Sequence, residues 1–298
     1  MTPRCACGNS FRFATTENFF LFPVGKKTAE EKKKMAESKP AHLEPSKLGT
    51  KAYWDALYTT ELTTHTSDPS LEGTVWFDDS DAEAKILSYL SPNRNDSDSD
   101  NEDDDQPPNP HPHDLTPSTA SILDLGCGNG SLLFSLRDDG WSGHLLGVDY
   151  SPHSISLAKS IAQSRENEDL KSVEFKVWDV LNGDIPSISP PTGWDLVLDK
   201  GTFDAVSLSS ETDSLGRRIN EGYGERVLQL LKTGGVFLVT SCNWTETELR
   251  TWFETSTAPN DGKTKLKMAG RVDYPSFSFG GVKGQTISTL CFEKVVVE

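Results

Sequence analysis

Between Ser121 and Tyr150 the chain reads SILDLGCGNGSLLFSLRDDGWSGHLLGVDY, and no other stretch limits the possible folds as much. A short apolar strand, Ser121 to Leu125, runs into the turn Gly126-Cys127-Gly128-Asn129-Gly130. A helical run follows with apolar Leu132, Leu133, Phe134 and Leu136, and after Gly140 a second strand, His144 to Val148, ends on Asp149. Strand, glycine turn, helix and strand in that order make one unit with an acid at the tip of its second strand. The glycines let the backbone bend tightly and approach a bound molecule at van der Waals distance. The acid is placed to hold a ribose diol. The unit is suited to a nucleoside.

A dinucleotide fingerprint needs G-x-G-x-x-G, whereas this turn reads G-x-G-x-G, with Ser131 at the place of the final glycine. Asp124, two residues before the first glycine, would repel a pyrophosphate. It suits a ligand carrying positive charge, such as the amino group of a methionine moiety. On Asp124, Gly126, Gly128, Gly130 and Asp149 the stretch resembles motif I of the S-adenosylmethionine-dependent methyltransferases. A nicotinamide dinucleotide site, or a unit of the same shape without a ligand, is the alternative.

Strand and helix keep alternating after Asp149, the signature of a doubly wound parallel sheet. Ser151-Pro152 opens a helix through Ile161. Val173 to Val177 form a third strand, and Trp194 to Leu198 a fourth, which ends in Asp199-Lys200-Gly201. A helix near Tyr223 to Leu231 leads through the turn Lys232 to Gly235 into a fifth strand, Val236 to Thr240. Thr245 with Glu248 is a capping box for the next helix. Arg271 to Phe279 and Thr286 to Val295 read as the last two strands, a hairpin. Upstream, Thr50 caps a helix carrying Tyr53, Trp54, Leu57, Tyr58 and Leu62, and Ala82 to Leu90 make another.

Two segments fall outside this pattern. Residues 1–43, with a phenylalanine patch and a lysine-rich run, read as a poorly ordered extension. Residues 91–118 are dense in acid, Ser, Asn and Pro, cannot bury a core, and read as a disordered insertion. Residues 44–298 are then one domain. The formal charge of −16 argues against a nucleic-acid partner, which would need Lys and Arg against its phosphates. It favours a basic substrate. The five cysteines are scattered without disulfide or metal-ligand spacing, so no metal is expected and a reducing compartment fits. No run of eighteen apolar residues exists, so no membrane span is expected.

Ligands of open parallel sheets bind outside the carboxyl ends of the strands. Those ends supply Asp124 and the turn Gly126, Cys127, Gly128, Asn129 and Gly130; Asp149 and Tyr150; Trp178, Asp179 and Val180; and Asp199 with Lys200. Asp149 would accept from the ribose hydroxyls and Asp179 from an adenine amino group, with Trp178 or Val180 flanking the ring. Tyr53 and Trp54 either pack on the main domain or face the cofactor, where an aromatic face attracts a sulfonium by about 0.5–2 kcal/mol.

The words LGTKAYWD, Trp76-Phe77, LDLGCGNG, GVDYS, LDKGTFDA and TSCNWTE together resemble the eukaryotic protein-lysine methyltransferases that act on translation elongation factor 1-alpha. The resemblance runs from about residue 46 to the C-terminus, interrupted by the acidic insertion. It implies a Rossmann-like class I fold, a seven-stranded, mostly parallel sheet with helices on both faces. It also implies S-adenosylmethionine as donor, a protein substrate and a cytoplasmic setting, with the nucleus as a further alternative; a monomer is expected. Transfer would be an in-line attack by a neutral lysine amine, with Asp199 holding that amine, Lys200 to Phe203 shaping its pocket, and Asn243 and Trp244 lining the mouth. Asp199 and Lys200 could instead be a strand-end ion pair. Methylation of a small molecule or nucleic acid, or a donor-binding adaptor in intracellular transport, are the other readings. An amino-directed nucleic-acid enzyme would be expected to carry Asn/Asp-Pro-Pro-aromatic where this chain has Asp199-Lys200-Gly201-Thr202.

Overall fold

The computed structural model describes residues 39–91, 115–258, 262–275, 277–279, 282–284 and 286–297. Its helices are α1 (Lys51–Ser67), α2 (Ala82–Leu90), α3 (Ser131–Asp138), α4 (Pro152–Ser164), α5 (Thr202–Ser207), α6 (Tyr223–Leu230) and α7 (Glu246–Glu254). Its strands are β1 (Ile122–Leu125), β2 (Leu145–Asp149), β3 (Glu174–Val177), β4 (Trp194–Lys200), β5 (Leu231–Ser241), β6 (Thr264–Val272), β7 (Phe277–Phe279), β8 (Val282–Gly284) and β9 (Ser288–Val296). Seven of them form one sheet in the order β3-β2-β1-β4-β5-β9-β6, and β7 pairs with β8 in a small ribbon. The first five strands run parallel; β9 enters antiparallel between β5 and β6. The expected seven-stranded, mostly parallel sheet is what forms.

Strand side chains alternate between two buried layers, as period-2 geometry requires. Ile122, Leu145, Leu196, Leu198, Val236 and Leu238 face one layer, packed with side chains of α2, α3 and α4. Leu123, Leu146, Val197, Phe237 and Val239 face the other, with Phe203, Tyr223, Val227, Trp252 and Phe253 of α5, α6 and α7. Both faces of β1, β2 and β4 are covered, which is why they read as near-continuous apolar runs, whereas β3 at the sheet edge buries only Phe175. The helix α1 lies along α4, beside the first layer.

Local signals explain most boundaries. The Thr50 side chain accepts from Tyr53 N at the start of α1, and α7 opens on a complete capping box between Thr245 and Glu248. Four expectations need correction. The strand placed at Arg271 to Phe279 is not one strand: β6 runs earlier, Thr264–Val272, and pairs with β9, while Phe277–Phe279 is β7, paired with β8. The lysines of β6, Lys265 and Lys267, sit on the polar side of an edge strand, where charge deters pairing with another chain. The turn Lys232 to Gly235 is a bulge within β5, where the register with β4 shifts between Trp194 and Leu196. The short helix α5 directly after β4 was not anticipated. Finally, the domain starts before residue 44 and the insertion ends before residue 118. Leu43 packs on the second layer, Lys39 pairs with Glu221 at 3.2 Å, and Pro117 O accepts from Ser142 N and Gly143 N. Residues 1–38 and 92–114, where a poorly ordered extension and insertion were expected, lie outside the described residues.

Candidate active site

The turn after β1 is shaped by close approach. Gly126, Gly128 and Gly130 all have positive φ. A Cβ on Gly126 (φ +65°) would stand 2.1 Å from Thr202 Oγ1, and one on Gly128 (φ +56°) 2.8 Å from the Tyr58 hydroxyl. Both conformations and both contacts demand glycine. The turn is stitched to the tip of β2. Cys127 N donates to Val148 O, Gly128 N donates to Asp149 Oδ2 at 3.3 Å, and Ser154 Oγ donates to Gly128 O at 2.7 Å. Asn129 leaves the turn sideways, donating to Glu72 O and accepting from Ser131 N at the start of α3.

Beside this turn lies a cavity of about 700 Å³ at the carboxyl ends of the strands. Such a volume falls within the range of small-molecule and cofactor pockets. Of the expected site residues, Trp54, Gly126, Asp149, Tyr150, Trp178, Asp179, Val180, Lys200 and Asn243 line it. The loop after β3 is held from behind. Trp178 Nε1 donates to Asp184 O, and Arg226 stacks on the Trp178 ring while Arg226 Nε donates to Val180 O at 2.8 Å. Asp179 accepts from Leu181 N at 2.8 Å and from Asn182 Nδ2 at 3.1 Å, so its carboxylate already orders the local turn.

Other expected residues stand behind the wall. Tyr53 packs edge-on against Trp54, beneath the Lys47 ammonium. Cys127 and Asp124 are buried. Asp199 is the largest departure: it is 2% exposed and points into the layer of α5 and α6. Its Oδ1 accepts from Thr202 N at 2.8 Å, and its Oδ2 from Phe203 N at 3.0 Å and the Tyr223 hydroxyl at 2.5 Å. It caps α5 and does not line the cavity, because residue 199 shares a strand face with Val197. Nor is it paired with Lys200, whose ammonium lies 3.4 Å from Glu83 and donates to Trp76 O at 3.1 Å. Trp244 is likewise core, its indole N–H donating to Ser207 Oγ.

The electrostatics have one sign. Burial raises the carboxyl of Asp124 to about 8, that of Asp199 to about 7, and those of Asp149 and Asp204 to about 6. Lys200 is the cation that opposes the rise at Asp124. Crowded acids in a low-dielectric crevice favour a ligand that brings positive charge. Trp76 also lines the cavity, and its buried indole N–H has no hydrogen-bond partner among the described residues. The tight glycine turn against Thr202 and the acid at the end of β2, both beside the cavity, fit a cationic nucleoside.

Comparison with known proteins agrees. A methyltransferase domain model matches residues 117–280. The protein-lysine N-methyltransferase EFM4 of Saccharomyces cerevisiae is 39% identical over 254 residues, 85% of this chain and 97% of that protein. The chain belongs to this family of protein-lysine N-methyltransferases. EEF1A lysine methyltransferase 2 of Homo sapiens is 32% identical over 84% of this chain and 88% of its own length. The cyclase SpnF, at 13% identity, superposes with a TM-score of 0.50 over 86% of this chain and all of that one, a likeness in fold alone.

Several wall residues of this methyltransferase escaped the sequence reading. Glu44 to Gly49 form a strap over the cavity, held where Ser46 N donates to Leu208 O and where Trp54 Nε1 donates to Leu48 O. Leu48 and Gly49 fall in the quoted word LGTKAYWD, but Glu44 to Lys47 carry no periodic pattern that marks them. Phe77 lines the wall with φ +64°, an unfavourable conformation for a bulky residue. Asp204 also lines it, accepting from Ser241 Oγ at 2.5 Å and Cys242 N at 2.8 Å. It lies in the quoted word LDKGTFDA, where Asp199 drew the attention.

Proposed function

We propose that this protein-lysine methyltransferase uses S-adenosylmethionine as its donor and modifies a lysine of translation elongation factor 1-alpha. The observation that carries the donor assignment is Asp149, with its carboxyl in the cavity wall at the end of β2 and tied to Gly128 N. The substrate assignment rests on the names of the relatives.

When bound, S-adenosylmethionine supplies an electrophilic methyl group on a sulfonium. Asp149 would accept from the ribose hydroxyls, and Trp178 and Val180 would flank the adenine. Asp124 stands behind the glycine turn with its carboxyl raised by burial to about 8, and a cation placed nearby would favour its ionised form.

The acceptor amine must arrive neutral, although an unperturbed lysine has a pKa near 10.4. A cationic centre nearby lowers that value, and open water at the mouth carries the proton off, so positioning supplies most of the rate. Asp204 and Asn243, which both line the cavity beside the end of β4, are placed to orient the amine. Asp199 then acts through the backbone, by fixing the start of α5 that carries Asp204. Lys200 holds the Trp76 carbonyl and Glu83 in place.

The test is the intact mass of purified elongation factor 1-alpha after incubation with the protein and S-adenosylmethionine. Increments of one methyl mass on a single lysine-bearing peptide are expected. An unmodified factor alongside methylation of RNA or a metabolite would overturn the substrate.

A further inference from the structure

Between α5 and α6 the chain makes a hairpin whose base belongs to the cavity and whose tip does not. Glu211 and Ile219 both line the cavity and are joined by Ile219 N donating to Glu211 O at 3.2 Å. Midway between them in sequence, and so within about 14 Å of each by chain length, stands Leu215. It is 75% exposed, the most exposed of the large apolar side chains among the described residues.

An exposed leucine on a loose loop would need no explanation. This loop is built. Asp213 N donates to Arg217 O at 2.8 Å and Gly216 N donates to Asp213 O at 3.0 Å. The Asp213 carboxylate accepts from Leu215 N, Arg217 N and Arg217 Nε, at 2.9, 2.9 and 2.8 Å. Thr212 and Arg218 bridge across the base, and Arg218 Nη2 reaches Leu43 O and Ser207 O. These bonds hold Leu215 out from the body and add nothing to the core. The cavity wall beneath it carries more acids than bases, Glu44, Asp149, Asp179, Asp204 and Glu211 against Lys47, Lys51 and Lys200, on a chain of formal charge −16.

We infer that Leu215 is a docking anchor for the acceptor protein, an inference that rests on the function proposed above. Because the base of the hairpin is part of the cavity wall, a folded protein presenting its lysine at that wall would bring its neighbouring surface to Leu215. The occupant is a folded protein with an apolar site beside the target lysine and basic residues around it, the first matching Leu215 and the second the acid-rich wall.

The experiment compares steady-state methylation of folded elongation factor 1-alpha by the full chain and by Leu215→Ser and Asp213→Ala, with donor affinity measured separately. Leu215→Ser removes the anchor, and Asp213→Ala loosens the loop that presents it. Both should raise KM for the folded protein by about fivefold or more. Both should leave kcat and donor affinity within about twofold of the parent, and a short lysine peptide should be methylated equally by all three. Unchanged KM for the folded protein in both variants would overturn the anchor. So would a loss confined to kcat or donor affinity, which would make the hairpin only a wall. Failure of the parent chain to methylate the factor at all is a separate result, and it strikes the proposed substrate.

Discussion

The hydroxyl of Tyr223 donates to Asp199 Oδ2 at 2.5 Å, linking the first residue of α6 to the tip of β4 deep inside the molecule. Through that bond and the two to the start of α5, a carboxyl that a strand-end motif would send toward a ligand is turned to hold a helix. Tyr223→Phe leaves this buried acceptor short of one partner, at a cost of about 1–3 kcal/mol. Chemical denaturation should show that loss. Donor affinity should change little, because neither residue lines the cavity.

Asp204 should separate binding from transfer. Asp204→Asn keeps the volume and removes the charge beside the mouth, so kcat should drop by roughly tenfold to a hundredfold. Donor Kd from calorimetry should stay within about twofold. A parallel collapse of both would make Asp204 a purely structural tie between α5 and the end of β5.

Gly126→Ala tests the turn. The new methyl would meet Thr202 Oγ1 at 2.1 Å in a backbone conformation with φ +65°. Donor binding should be lost and the thermal midpoint lowered. The double variant with Thr202→Ala should recover part of the midpoint, since it removes the nearest obstructing atoms but leaves the backbone strain.

The buried acids also set a pH dependence. Asp124, Asp149, Asp199 and Asp204 have folded values of about 8, 6, 7 and 6, all raised by burial above the unfolded value near 3.9. The folded state therefore binds more protons than the unfolded state, and stability falls as pH rises. The contribution is complete below about pH 4 and gone above about pH 8. Denaturant titrations of the ligand-free protein should give greater stability at pH 6 than at pH 8. Donor binding should show the opposite trend, tightening with pH and releasing protons, as read by calorimetry in buffers of different ionisation enthalpy.

Much of this architecture is written locally. The glycine turn, the acid on β2 and the capping box at Thr245 each have a short-range physical cause, and each appears where the residues place it. The direction of Asp199 was also legible, through parity. Val197 and Asp199 must share one face of β4, while Leu198 and Lys200 share the other. Face assignment needs to know which layer holds the ligand, and that depends on contacts with Tyr223, far along the chain. The strap at Glu44 to Gly49 and the hairpin below Leu215 are harder still. They are set by long-range backbone bonds such as Ser46 N to Leu208 O, which leave no periodic trace.

The most direct test of the donor site is calorimetry of S-adenosylmethionine with the parent chain and with Asp149→Ala. Loss of charge-assisted bonds to a ribose should weaken binding by about 1.5–3 kcal/mol, roughly tenfold to a hundredfold in Kd. An affinity unchanged by Asp149→Ala would contradict the placement of the nucleoside at the tip of β2.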